Sequence, residues 1–223
     1  MLGKKGRSYL LIVMTLFLLT GCGNDVADKV FEHLEKAVEL EAPFTEQQEL
    51  ISQAEENEQE LYDEVIDLSM EEFEKILSLT EEALASIETR EEAVAVEKES
   101  IEAGYQEFLK VEELESEIKD DEGLPPFQGL VENMHARYNS YQDLHNAYVD
   151  SLELDRALFE LLQQEEEFDL VELQQLIEDV NASYQVINEA RDIFNEYTAQ
   201  YNNDKQSYYS ESNLSWELAE ENE

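Results

Sequence analysis

Histidines and carboxylates are the residues of this chain most able to support catalysis or bind a metal. The sequence contains three histidines, His33, His135 and His145, and 56 aspartates and glutamates. Glu132 and His135 have the Glu-x-x-His spacing of di-iron helical bundles, but such a centre needs this spacing on two helices. The sequence has no second copy, so this spacing indicates chance and not a metal centre.

The motifs of common enzyme classes are also missing from the sequence. It has no glycine-rich phosphate loop and no Gly-x-Ser-x-Gly motif. With so many carboxylates, close acidic pairs arise by chance and do not indicate a glycosidase. We therefore predict that the protein is not an enzyme and has no cofactor or dedicated metal site. Divalent cations are expected to bind surface carboxylates only weakly and nonspecifically.

Cys22 is the only cysteine, and the residues before it indicate its chemistry. Three basic residues near the N-terminus are followed by the run 9–19, in which ten of eleven residues are apolar. This run is shorter than the roughly 20 residues that span a bilayer, and it is typical of a secretory signal. It ends in Leu19-Thr20-Gly21-Cys22, which resembles a bacterial lipobox. We predict that residues 1–21 are cleaved and that diacylglycerol on Cys22 anchors the chain; the alternative is a secretory signal followed by an unmodified cysteine.

Lipidation at Cys22 would place the protein on the outer face of the cytoplasmic membrane, and the charge of the chain restricts its other partners. The sequence has 14 lysines and arginines against 56 acidic residues, a formal charge of −42. Three of the basic residues lie in 1–21, so the remaining chain has 11 basic residues and a charge of −45. Such a surface repels phosphodiesters and anionic headgroups. Nucleic acid is therefore excluded as a partner, and the body of the protein should stand away from the lipid.

Apolar residues recur at helical spacing through most of the chain. We assign residues 22–28 to a lipid-anchored tether, 29–209 to a helical domain and 210–223 to an acidic, frayed tail. Pro43 predicts a kink or stop, and Thr45 with Gln48 has the form of a capping box. Ser69 with Glu72 forms a second such motif, which predicts a turn at 67–69. Asp169 with Glu172 forms a third.

Steps of three and four residues define an unbroken seam from Phe73 to Ile118. A turn with a Pro-Pro pair at 120–126 separates it from a second seam, Phe127 to Leu162, and a third runs from Leu170 to Tyr208. These patterns predict an all-α, elongated, up-and-down antiparallel bundle with coiled-coil-like packing. Four helices are favoured. Three helices are the alternative if the turn near Ser69 does not exist.

Several polar residues occupy seam positions, where an unpaired charge is costly. Helices joined by a short turn place residues equally distant from that turn at the same level. Across the 120–126 turn this predicts that Arg90 pairs with Asp155 and that Glu97 lies beside Tyr148, and across the next turn it adds Tyr184. We favour the interpretation that this buried polar network fixes helix register. The alternative is a polar slot that holds a ligand. The network comprises Arg90, Glu97, Arg137, Asp155 and Arg191.

Asparagines recur every seven residues on the last helix, beside the seam, and tyrosines accompany them. Amides can bond sugar hydroxyls and rings can stack on sugars, so this pattern indicates a candidate binding face. The same pattern is typical of a half-buried helix edge, where a tyrosine buries its ring and keeps its hydroxyl in water. The candidate face consists of Tyr138, Tyr197, Asn181, Asn188, Asn195 and Asn202.

A family resemblance rests on residues of these seams. In the second half they are Met134, Arg137, Tyr138, Tyr141, Leu144, Tyr148, Asp155, Asn181, Tyr184, Phe194, Asn195, Thr198, Tyr201, Asn202, Lys205, Tyr208 and Tyr209. In the first half they are Ala83, Arg90, Glu97 and Ile101. With these residues the chain resembles the YkyA-like family of cell-wall-binding lipoproteins of Gram-positive bacteria.

The resemblance implies an all-helical bundle at the cell surface and brings no catalytic residues with it. It implies a binding or structural role in the envelope, with a cell-wall polymer or an envelope protein as the partner. The alternative function is that of a helical adaptor that docks another membrane-associated protein along an exposed helix edge.

Overall fold

The computed structural model describes residues 25–118, 124–164 and 170–212. Four long helices make up nearly all of this part of the chain: α1 (Asp25–Ile66), α2 (Phe73–Glu112), α3 (Leu124–Leu162) and α4 (Leu170–Glu211). At about 1.5 Å per residue, helices of 39 to 42 residues are roughly 60 Å long. The predicted all-α fold with four helices is confirmed.

The break that separates α1 from α2 lies where the capping motif predicts it. Helix α1 ends at Ile66, and a single 3₁₀ turn, Met70–Glu72, leads into α2. The Ser69 backbone N–H donates to the Glu72 carboxylate at 3.3 Å, which is half of the reciprocal capping box. Residues 45–119 therefore do not form a single rod, and the three-helix alternative is wrong.

Pro43 does not stop a helix, because α1 continues through it. Thr45 and Gln48 lie inside the helix and do not cap one. A proline removes one backbone hydrogen bond, but the apolar face of α1 is buried on both sides of it, and this packing offsets the loss. The buried residues nearest the proline are Leu34, Ala37, Ile51 and Ala54.

Both ends of the bundle extend further than the sequence predicts. Residues 25–28, which were assigned to the tether, belong to α1, because Val26 packs against the core and Ala27 is buried. Helix α4 reaches Glu211 because Tyr208 and Tyr209 are buried. Several predictions lie outside the described residues: the secretory signal and Cys22, residues 120–123 of the predicted turn, the Asp169 cap, and the tail beyond 212. The remainder of that turn is wrong, because Leu124, Pro125 and Pro126 begin α3, whose first turn tolerates proline.

The bundle is assembled from two helical hairpins. Helix α1 packs mainly on α2, α3 packs mainly on α4, and α2 and α3 join the pairs. The predicted seam of α2 is buried from Ile76 to Val111, and that of α3 from Phe127 to Leu162 with Leu144 only half-buried. Helix α4 buries fewer residues, chiefly Ile187, Phe194 and Tyr201 along its middle. It is therefore the helix with the most exposed flank.

Candidate functional site

In the described part of the chain, three cations that are buried or half-buried each bind a carboxylate of α1. The Arg137 guanidinium donates to both oxygens of Glu41, at 2.8 and 2.7 Å. Lys205 Nζ lies 2.9 Å from Glu35 Oε1, to which the Tyr209 hydroxyl also donates at 2.8 Å. The third cation is Arg90. Along α1, Glu35 is thus linked to α4, Glu41 to α3 and Glu58 to α2. Together these pairs fix the position of α1 along the bundle axis.

Arg90 lies at the centre of the largest network and is fully buried. Its Nη1 donates to Glu58 at 2.6 Å and to Asp155 at 2.9 Å, and its Nε donates to the Tyr148 hydroxyl at 2.8 Å. The Tyr184 hydroxyl donates to the same oxygen of Asp155 at 2.9 Å. The predicted Arg90–Asp155 pair is confirmed, and Glu58 is a second buried carboxylate that shares the same guanidinium.

A glycine allows one of these pairs to form. A Cβ at Gly104 of α2 would lie 2.6 Å from Glu41 Cγ and 2.8 Å from its Oε1. Only glycine therefore lets the Glu41 side chain pass so close to α2 on its way to Arg137. The seam position of Gly104 reflects this close approach of a side chain from α1.

The structure corrects the placement of Arg191 in the predicted polar network and shows the hydrogen bonding of Glu97. Tyr148 and Tyr184 line the same cavity as Glu97, but their hydroxyls bond to other carboxylates: Tyr148 donates to Glu55 at 2.7 Å, and Tyr184 donates to Asp155. Glu97 instead accepts a hydrogen bond from Gln48 of α1. Arg191 is exposed and donates to the Asn188 side chain, because α4 turns this position toward solvent and not toward the core.

A groove runs between α1 and α4 along half of the bundle. The exposed residues that line it belong to α1 and α4. Its floor is formed by residues of α2 and by buried residues of α3. At one end it is closed by aromatic contacts: the Phe44 ring lies 5.9 Å from that of Phe194 and 6.1 Å from that of Tyr141. We call this feature the α1–α4 groove. Pro43 directly precedes the point at which the groove opens.

The α1–α4 groove has two compartments that meet at Glu55 and Tyr184. The apolar compartment has a volume of about 350 Å³, and the side chains of Tyr62, Phe159 and Val180 are among those that line it. The polar compartment has a volume of about 410 Å³ and is lined mainly by polar and aromatic side chains. These include Gln48, Glu97, Tyr141, His145, Tyr148, Asn188 and Arg191.

The predicted binding face is not gathered at one place. Asn181 lines the apolar compartment and Asn188 the polar one, while Asn195 and Asn202 are exposed on the same helix. Tyr138 stacks on Tyr105 of α2, with ring centroids 3.7 Å apart and planes nearly parallel. Tyr197 is half-buried on α4. Of the six predicted residues, the structure thus brings two asparagines to the groove.

The polar residues that α1 contributes were not predicted from the sequence. They are Glu35, Glu41, Gln48, Glu55 and Glu58. A signal for several of them was present. Steps of three and four residues that begin at Leu34 and continue through Pro43 pass through Glu41, Gln48 and Glu58. The pattern is not recognised if a helix is expected to end at Pro43, because the apolar seam is then divided into two short segments.

Two of the three histidines, His33 and His135, have ordinary side-chain partners. His135 Nδ1 lies 2.8 Å from the Tyr105 hydroxyl, and His33 Nδ1 lies 2.7 Å from Glu107. Within 25–118, 124–164 and 170–212, no three His, Cys, Asp or Glu side chains are grouped so as to hold a metal ion. No helix in these ranges combines the length and the apolar character needed to cross a membrane.

Comparison with known proteins links this bundle to a lipoprotein family. Residues 25–211 match the model of the YkyA family, described as "Putative cell-wall binding lipoprotein". A Bacillus subtilis (strain 168) protein named "Uncharacterized lipoprotein YkyA" is 34% identical over 193 residues, which cover 86% of each chain. The matched region includes all four helices and the α1–α4 groove.

The fold also occurs in a solved structure. A crystal structure of a conserved protein of unknown function from Staphylococcus aureus aligns with a TM-score of 0.62 at 16% identity. The alignment covers 82% of this chain and 91% of the other. At this identity the likeness supports the bundle architecture alone.

Proposed function

The chain belongs to the YkyA family of lipoproteins, and from this we propose that it is a membrane-anchored binding protein of the cell envelope whose α1–α4 groove binds a cell-wall polymer. The observation that carries the proposal is the open groove, which holds Asn181 and Asn188 beside several tyrosines. Amide and aromatic side chains in a concave site suit a polymer rich in hydroxyl and amide groups. We assign the protein no reaction, because the family description names binding only.

The position of the groove fits such a role. Cys22 precedes the first residue of α1 by three positions, so lipid on this cysteine would hold that end of the bundle near the membrane. The groove residues of α1, Gln48 to Tyr62, lie roughly 35–55 Å further along the helix. The strongly acidic surface keeps the bundle away from anionic headgroups. The groove would therefore face the wall and not the lipid.

The anchor is tested by replacing the cysteine. In Cys22→Ala the protein should incorporate no radiolabelled palmitate, whereas the wild type and Asn24→Ala should be labelled. Mass spectrometry of the labelled forms should show a chain that begins at Cys22. Palmitate in Cys22→Ala, or a mature chain that begins elsewhere, would show that the lipobox assignment is wrong.

The groove is tested by filling it. Ser52 is an exposed residue that lines the polar compartment, and Gln53 is its exposed neighbour that does not. Ser52→Trp should weaken co-sedimentation of the full chain with purified wall sacculi about tenfold, equal to about 1.4 kcal/mol of binding free energy. Gln53→Trp adds the same side chain outside the groove and should bind like the wild type.

Three outcomes of this experiment separate the possible functions. Equal binding by Ser52→Trp and Gln53→Trp would place the wall contact outside the groove. If the wild type itself does not sediment with sacculi, with or without teichoic acids and magnesium, wall binding is wrong. Crosslinking to a helical membrane protein in cells would then support the adaptor alternative.

A further inference from the structure

Three side chains that line the polar compartment have few or no hydrogen-bond partners: Tyr141, His145 and Glu97. The Tyr141 hydroxyl and His145 Nδ1 are buried and have no hydrogen-bond partner among the described residues, although both side chains line the cavity. Tyr141 is only 1% exposed. Native proteins rarely leave buried polar atoms unpaired, because the loss of hydration is not repaid. These two atoms are therefore available to bond a polar group that enters the cavity.

Glu97 differs from the other buried carboxylates of the bundle. Glu58 and Asp155 share Arg90, and the half-buried Glu41 binds Arg137. Glu97 is only 6% exposed, yet its single hydrogen-bond partner in the described part of the chain is the neutral amide of Gln48, and it forms no ion pair there. Burial raises the pKa of Glu97 to about 7, which reflects the missing cation.

The surroundings of Glu97 favour a cation over other ligands. Glu55 adds a second carboxylate to the lining, and Tyr141, Tyr148 and Tyr184 add aromatic rings, whose faces attract ammonium groups. The basic groups of the lining are Arg191, which is exposed and bonded to Asn188, and His145, whose pKa burial lowers. An anion would face both carboxylates, and a neutral sugar would leave Glu97 without a counter-ion.

We propose that the polar compartment binds a primary ammonium group of the ligand, with Glu97 as its counter-ion and Tyr141 and His145 as neighbouring hydrogen-bond acceptors. The proposal rests on the proposed function in that the ligand is taken to be part of the cell wall. Wall polymers carry primary amines on the peptides of peptidoglycan and on D-alanyl esters of teichoic acids. The cavity of about 410 Å³ can hold either group with the chain that bears it.

A soluble probe tests the ammonium site without the wall. Isothermal titration calorimetry at about pH 8 would compare Nα-acetyl-lysine N-methylamide with its Nε-acetylated form, using the lipidated full chain in detergent. At this pH Glu97 is ionised and the lysine amine is protonated. The amine should bind to the wild type, and the acetylated form should bind at least ~10-fold more weakly because it has no charge for Glu97 to pair with.

Matched variants assign the effect to one carboxylate. Glu97→Gln keeps the size and the hydrogen bond to Gln48 but removes the charge, so affinity for the amine probe should fall at least ~10-fold. Glu99→Gln removes one exposed charge two residues away and should leave the affinity unchanged. Circular dichroism checks that both variants are folded. Equal affinity for the two probes, no binding of the amine, or an unaffected Glu97→Gln would each overturn the proposal.

Modified sacculi identify the source of the amine. If peptidoglycan peptides supply it, acetylation of wall amines should abolish sedimentation and removal of teichoic acids should not. If D-alanyl esters supply it, mild base that cleaves these esters should abolish sedimentation. Sedimentation that survives both treatments would leave wall binding standing and overturn the ammonium site. Probe binding without sedimentation would retain the ammonium site and reject the wall as the partner.

Discussion

Replacing Arg90 by methionine is expected to lower the free energy of unfolding by about 3–5 kcal/mol. The substitution removes the guanidinium that neutralises Glu58 and Asp155, and both carboxylates are about 95% buried. It also leaves the Tyr148 hydroxyl without the bond from Arg90 Nε. Because a typical domain is stable by only 5–15 kcal/mol, this loss is a large part of the total stability. Urea denaturation of the full chain in detergent measures it.

Two further variants test whether the loss of stability in Arg90→Met comes from the unpaired buried carboxylates. Arg156 binds Glu91 at 2.8 Å near the surface, so Arg156→Met should cost no more than about 1 kcal/mol. The triple variant Arg90→Met, Glu58→Leu and Asp155→Leu removes all three charges and should recover most of the stability. A triple variant no more stable than Arg90→Met would show that charge neutralisation is not what Arg90 provides.

Because Glu58 binds Arg90 in addition to Asp155, the stability of variants at these positions should differ from that expected for a single ion pair. The sequence alone predicts one pair, in which Asp155→Leu would leave Arg90 unpaired. In the structure Glu58 also binds Arg90 at 2.6 Å, so Arg90 should keep a partner when Asp155 is replaced. Asp155→Leu should therefore be milder than Arg90→Met, and making Arg90 apolar as well should not restore stability while Glu58 remains.

Stability is expected to fall as the pH rises from about 5 to 8, and Glu97 is one of the two carboxylates that cause it, with Glu58. Burial raises the pKa of Glu97 from 4.5 to about 7 in the folded protein. The folded state therefore binds this proton more tightly than the unfolded state, and the contribution is fully present below about pH 4.5 and lost as the pH rises through 7. At 1.36 kcal/mol per pKa unit, it amounts to about 3 kcal/mol.

Other titrating groups also affect how stability depends on pH. The decisive measurement is therefore the difference in the free energy of unfolding between the wild type and Glu97→Gln. Burial also raises the pKa of Glu58, despite its bond to Arg90, and this has the same sign. The lowered pKa of His145 has the opposite sign and acts below about pH 6.5. Glu97→Gln should match the wild type near pH 5 and exceed its free energy of unfolding by up to about 3 kcal/mol near pH 8.

Denaturation of the full chain across this pH range in detergent checks the profile. Glu99→Gln removes an exposed charge from the same helix and controls for the general relief of repulsion in an acidic protein. A Glu97→Gln curve parallel to that of Glu99→Gln would mean that the buried carboxylate does not control the pH dependence. A gain at pH 8 found only in Glu97→Gln would confirm that it does.

Local pattern determined the helical architecture of this protein. The unbroken seam of α2 and the seam of α3 predicted which side chains are buried, because residues three or four apart share one helix face whatever the partner is. The capping motif at Ser69 and Glu72 located the first turn. The Arg90–Asp155 pair also followed from the sequence, since two rods joined by a short turn have a fixed relation of heights.

Only the tertiary structure decided how α1 and α4 relate to the rest. The sequence placed Arg191 in the core, but α4 exposes it, and the sequence did not reveal that Gln48 of α1 bonds to Glu97. Helical spacing states which residues share a face but not how far two faces stand apart. That distance depends on packing between helices remote in sequence, and it is what opens the groove beyond Phe44 and Phe194.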